Sequence, residues 1–152
     1  MRVLSSDNRA AVSVEAALAL GLVMVPLLVG LVDFGFALTV RMHLDRAVQA
    51  GLFYAWGTTG ASVSAIQSAS VAGYGAHSPT ATATATEACY CINPAGTRAG
   101  GTVASCTATC GSGLQLATWL TVQATATVAL PAPMPLVGSA LSLSSTATAR
   151  VQ

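Results

Sequence analysis

The chain contains no lysine and little charge of any kind: 152 residues hold six arginines and five acids, and charged side chains make up 7%. Roughly 25% is usual. A surface so poor in charge is not that of an ordinary cytosolic enzyme, and a chain that is 53% hydrophobic is neither a disordered tail nor a coiled coil. The arginines are dispersed, and the formal net charge is only +1. The clustered basic footprint that neutralises phosphates is therefore lacking, which excludes nucleic acid as a partner. Also lacking are a G-x-S-x-G elbow, an H-E-x-x-H pair, a Walker loop and a Gly-rich dinucleotide fingerprint. Asp33-Phe34-Gly35 spells the metal-binding triplet of protein kinases, but at the edge of an apolar segment and without a catalytic loop. Two histidines and five scattered acids form no general acid–base constellation. No catalytic residue, no metal and no cofactor is implied.

What is present begins with an apolar run. Between Glu15 and Asp33 lie seventeen residues, Ala16 to Val32, without a charge or a hydrogen-bonding side chain. As a helix they span about 26 Å at 1.5 Å per residue, close to the hydrocarbon thickness of a bilayer. Phe34 to Val40 extend the run by seven. A cleavable secretory signal is the rival reading, but such signals have apolar cores of about 7–15 residues, and here a carboxylate opens the segment. Arg2 and Arg9 on one side are matched by Arg41 and Arg46 on the other, so counting arginines leaves the orientation open. Helical character is expected to continue to Trp56, ahead of Gly57 and Gly60, with a kink at Pro26. A second, short helix fits Ala61 to Ala72.

Beyond Tyr74 the pattern changes to the period-2 alternation of strands, in Thr80–Thr86 (TATATAT), Trp119–Val128 and Leu141–Val151. Each puts Thr or Ser on one face and Ala, Val or Leu on the other. The stretch Pro131-Ala-Pro-Met-Pro135 and Gly138 separate the last two strands as a rigid apolar loop. The fold class predicted is α+β, a long N-terminal membrane-spanning helix with a small antiparallel sheet and a short second helix outside the membrane. A low-complexity linker is the other reading of TATATAT. Only Glu87, Arg98 and Arg150 are charged after Arg46, so hydroxyl groups do most of the solvating. Neighbouring subunits are expected to cover much of so uncharged a surface.

All four cysteines fall between Cys89 and Cys110. Cys89 and Cys91 share one face of a strand, and nested bridges, Cys89 to Cys110 and Cys91 to Cys106, suit a hairpin. Disulfides require an oxidising compartment, which places this region outside the cytoplasm. A zinc site is the alternative; Cys106 and Cys110 have a usual ligand spacing, Cys89 and Cys91 do not. His77 reads as an isolated loop histidine.

Glu15 and Asp33 are eighteen residues apart, five helical turns, and so share a face of the helix. Carboxylates near a membrane segment are costly and usually find partners; for Asp33, solvation at the interface and pairing with Arg41 are both open. Small residues at Ala17, Gly21, Gly30, Gly35 and Ala37 permit close approach of another helix.

The run Arg9-Ala-Ala-Val-Ser-Val-Glu15-Ala-Ala-Leu-Ala-Leu, then Gly30-Leu-Val-Asp-Phe-Gly35 and Arg41-Met-His-Leu-Asp-Arg-Ala-Val-Gln-Ala-Gly51, resembles the start of TadE-like proteins, minor pseudopilins of the tight-adherence (Tad, Flp-type) pilus system. The closing Leu141–Gln152 segment and the C-x-C, C-x₃-C cysteine pattern are similar to those of family members. The resemblance implies a pilin-like precursor with a cytoplasmic leader over residues 1–10. A prepilin peptidase would cut between Ala10 and Ala11, although Ala10 stands where glycine is usual, and Glu15 would become the fifth mature residue. Residues 11–57 would then be the transmembrane and projecting helix, and 58–152 a disulfide-stapled periplasmic domain. The implied partners are inner-membrane lipid, other pilins and pseudopilins, the Tad assembly machinery and the peptidase; the implied place is the bacterial inner membrane or a surface pilus. Glu15 and Asp33 would set helix register during assembly, with no enzymatic activity. An uncleaved single-span envelope protein with a binding domain outside the membrane is the competing expectation.

Overall fold

The computed structural model describes residues 7–103, 105–134 and 138–151. Most of the predicted leader (residues 1–6) and Pro135 lie outside them. In chain order the elements are α1 (Asp7–Gly57), α2 (Val63–Tyr74), β1 (Ala81–Ile92), β2 (Arg98–Thr102), β3 (Gln115–Met134) and β4 (Gly138–Arg150). This is the expected α+β arrangement, with TATATAT built into a strand rather than left as a linker. The chain divides after Ala37 into two compact units.

In the first unit α1 carries exposed apolar side chains around its circumference, among them Val12, Leu18, Leu22, Val25, Leu28 and Leu31. A helix that is apolar on every side suits lipid rather than water. It is long and apolar enough to cross a membrane, and it continues through Pro26 as one helix.

The second unit starts at Leu38, where the helix pattern changes. Val40, Leu44, Ala47, Val48 and Leu52 recur at helical spacing and are buried. They form one core with Ile66 and Tyr74 of α2 and with Ala85, Leu120, Val122, Ala124, Ala126 and Val128 of the sheet. Ser62 caps α2 by accepting a hydrogen bond from the Ala65 amide, and Gly75 ends it at φ 85°, a conformation that costs glycine little. The observed α2 lies two residues later than expected because Ser62 supplies this cap. Two close approaches seat it. A Cβ at Gly51 would strike the Ser70 hydroxyl, and one at Gly73 would strike the Ala50 methyl.

The sheet is antiparallel, in the order β2-β1-β3-β4. Register decides its two faces, since alternate residues point to opposite sides. Ala81, Ala83 and Ala85 pair with Ala126, Ala124 and Val122 on the core side. On the other side, Thr82, Thr125 and Ser144 form one row, and Thr86, Thr121 and Thr148 another. Hydroxyl contacts cross-link these rows, Thr82 to Thr125 at 2.8 Å and Thr121 to Thr148 at 2.9 Å. The last strands are longer than their alternating segments: β3 continues to Met134, which pairs with Gly138.

β2 occupies the glycine-rich stretch between the two cysteine pairs. Asn93 makes the turn before it: its carbonyl accepts from the Gly96 amide at 2.8 Å, and its side-chain oxygen accepts from the Thr97 amide at 2.9 Å. The Asn-Pro-Ala-Gly tetrapeptide was the available signal for this hairpin.

Candidate functional site

The groups that bear on function fall in two places. On the first part of α1, Glu15 is exposed. Ala17 and Gly21 have little or no side chain, and with Leu18, Leu22, Val25 and Pro26 they line a shallow depression of about 420 Å³. A Cβ at Gly21 would meet nothing within 4 Å. The depression is therefore open to an approaching helix. At the peptide between Ala10 and Ala11 the backbone is helical.

Asp33 differs from both expectations for it. Its side chain is buried, and neither carboxylate oxygen has a hydrogen-bond partner among the described residues. Arg41 instead lies 3.6 Å from Asp45, one turn further along the helix. Spacing explains the change, since residues four apart are neighbours on a helix and residues eight apart are not.

On the second unit, the motif Arg41-Met-His-Leu-Asp-Arg packs its apolar residues inward and spends its polar ones on contacts. Asp45 accepts a hydrogen bond from Ser145 of β4 at 2.5 Å. His43 stands 4.0 Å, centroid to centroid, from His77, and Tyr74 meets both rings edge-on at 6.0 Å. His77 is thus in a loop but not isolated. Partial burial, then the nearby His77 and Arg46, lower the pKa of His43, which lies beyond the lipid-facing part of α1; burial raises that of Tyr74.

The cysteines form two disulfides, Cys89 to Cys106 and Cys91 to Cys110. The order is parallel, not the nested order a simple hairpin suggests. The reason is the route of the chain. After β2 the Val103 amide bonds the Cys89 carbonyl, and then a turn at Ser105–Ala108 reverses the direction. Residues 106–110 therefore run the same way as β1, towards Gln115, which pairs with Ile92. With all four sulfurs bonded, no thiolate is left to ligate zinc. Nearby, the Arg98 guanidinium lies 4.3 Å from the Tyr90 ring centroid and 4.4 Å from that of Trp119. Sequence reading missed this contact because it depends on β2 pairing with β1.

The segment from the start of the apolar helix through the Arg41–Gly51 motif is where a family model matches: that of TadE-like protein, over residues 10–52. Residues 10–52 are a TadE-like segment. The match ends at Leu52, the last core residue that α1 supplies. The TadE-like segment thus includes both the exposed apolar helix and the residues on which the sheet unit packs. No curated protein and no solved structure is significantly similar to the chain. The family match, and an apolar helix that alone among the described residues is long enough to cross a membrane, support a membrane-anchored, Tad-associated protein.

Proposed function

We propose that the chain is a minor pseudopilin of the tight-adherence pilus, held in the bacterial inner membrane by α1 with its disulfide-bonded unit in the periplasm. A prepilin peptidase removes the leader between Ala10 and Ala11, and α1 then packs against the helices of other pilins. The carrying observation is that the TadE-like match falls on a helix whose apolar circumference is exposed. In this reading the new α-amino group at Ala11 lies four residues before Glu15, and the carboxylate of one subunit neutralises the ammonium of the next. That pairing sets the axial register between helices. Asp33, a second carboxylate of α1 that lacks a hydrogen-bond partner among the described residues, is the other position assigned to assembly.

Glu15→Val tests the register role. Insertion should be unchanged or improved, because valine is favoured in lipid where a carboxylate costs a few kcal/mol. Docking should fail, because an unpaired buried charge costs roughly 3–5 kcal/mol. Membrane level, N-terminal mass and surface piliation are measured in one strain. Normal piliation with Glu15→Val would remove the register mechanism. An N-terminus left untrimmed in the native chain would favour an uncleaved envelope protein instead.

A further inference from the structure

The sheet's outer face is solvated by hydroxyls, and the one carboxylate after Asp45, Glu87, is exposed on the other side of β1. Glu87 belongs to the series Ala81, Ala83, Ala85, Glu87 and Cys89, which faces the helices, whereas Thr82, Thr84 and Thr86 take the solvent side. Glu87 is exposed although its neighbours Ala85 and Cys89 in that series are buried, so it marks the point where the core opens to solvent. It lies at the edge of the core, in a cleft of about 390 Å³ whose lining includes Trp56, Thr58, Thr59, Ile66, Glu87 and Thr118. That volume is in the range of small-ligand sites, roughly 300–1,000 Å³. The cleft is built by the end of α1, the α1–α2 connection and the sheet. The Trp56 indole is held there by its N–H, which donates to the Arg150 carbonyl at 3.1 Å.

Glu87 has no hydrogen-bond or ion-pair partner among the described residues. Arg98, close in sequence, is stacked on Tyr90 and Trp119, and the Tyr90 and Trp119 positions belong to the threonine side of the sheet. An exposed carboxylate at the edge of an apolar core, in a cleft also lined by Trp56 and three threonines, provides what a compact organic cation needs. It offers charge neutralisation, a π surface, and acceptors for the remaining N–H groups.

We propose that this cleft binds a primary ammonium or guanidinium group carried on a short apolar stem. A small amine and a basic side chain of a neighbouring protein subunit share that chemistry. The site is independent of the pilin reading, since it uses no residue of the lipid-facing part of α1.

The test uses the full chain in detergent, titrated with butylammonium, butylguanidinium and, as the neutral control, pentanol. The Trp56 indole N–H resonance is followed, distinguished from Trp119 by Trp119→Phe. Both cations should shift it saturably while pentanol does not, and Glu87→Gln should weaken cation binding at least tenfold. Glu87→Asp, keeping the charge, should restore part of it. An equal shift with pentanol, no saturable shift, or native affinity in Glu87→Gln would overturn the proposal. A water-soluble carbodiimide applied to intact cells separates the sources. Because the chain has no lysine, an amide formed at Glu87 carries an amine from outside its own side chains. A peptide adduct points to a subunit lysine and a low-mass adduct to a small amine. An unmodified Glu87 together with cation binding in detergent points to guanidinium, which forms no such amide.

Discussion

Ser145 of β4 donates a hydrogen bond to Asp45 of α1 across a sequence separation of 100 residues, at 2.5 Å. The serine is buried on the face of β4 that otherwise carries Leu141, Leu143, Ala147 and Ala149, while Asp45 also has Arg41 at 3.6 Å. The contact therefore ties the final strand to the TadE-like segment through a charge that Arg41 already stabilises.

Removing that contact should cost a measurable part of the stability. Hydrogen bonds to charged groups contribute about 1.5–3 kcal/mol, and the half-exposed Asp45 reduces this. Ser145→Ala is expected to destabilise by about 1–2 kcal/mol, read as a lower denaturant midpoint at constant slope. A double-mutant cycle with Asp45→Asn should show coupling of about 1 kcal/mol. Additive effects would mean that the two residues act separately.

Two glycine substitutions should have opposite signs. Alanine is preferred over glycine in a helix by about 1 kcal/mol. At Gly57, where a Cβ meets nothing within 4 Å, Gly57→Ala should stabilise by a few tenths to 1 kcal/mol. At Gly73 the added Cβ strikes the Ala50 methyl, with the Ala47 Cα at 3.5 Å behind it. Neither atom can rotate away, and overpacking costs about 1–3 kcal/mol. Gly73→Ala should therefore lower the melting midpoint despite its better helix propensity. A rise at both positions would show that α1 and α2 are not in such close contact.

Cysteine pairs removed together should report the parallel connectivity. Cys89→Ser with Cys106→Ser leaves Cys91 bridged to Cys110, so no thiol should titrate in unfolding buffer without reductant. Cys89→Ser with Cys110→Ser strands Cys91 and Cys106, and both should titrate. Exchange of the two results would restore the nested pairing. Each bridge spans a separation of 17 or 19 residues and should contribute about 3 kcal/mol by restricting the unfolded chain.

The anchor was legible in the sequence, because seventeen consecutive apolar residues from Ala16 to Val32 report directly on the solvent they suit. So were three of the four strands, since Thr–Ala alternation is a local property of the backbone's period. The cysteines announced bridges through their clustering, but not which sulfurs meet. That depended on the turn at Ser105–Ala108, which reverses the chain beside β1. β2 stayed hidden because Arg98–Thr102 has no alternating apolar face, and the Asn93 turn and pairing with β1 define it.

The functional residues divide the same way. Sequence alone determined a charge-poor chain, a lipid-compatible helix with Glu15 at its edge, and a TadE-like pattern; these depend on residue type and spacing along one helix. Only the tertiary structure decided that Asp33 is buried without a hydrogen-bond partner among the described residues while Arg41 pairs with Asp45. It also decided that His43 meets His77, and that Glu87 lines a cleft with Trp56 rather than joining the threonine face. Those outcomes follow from sheet register and from where α2 packs. Both are set by long-range contacts whose energies no local stretch of the chain contains.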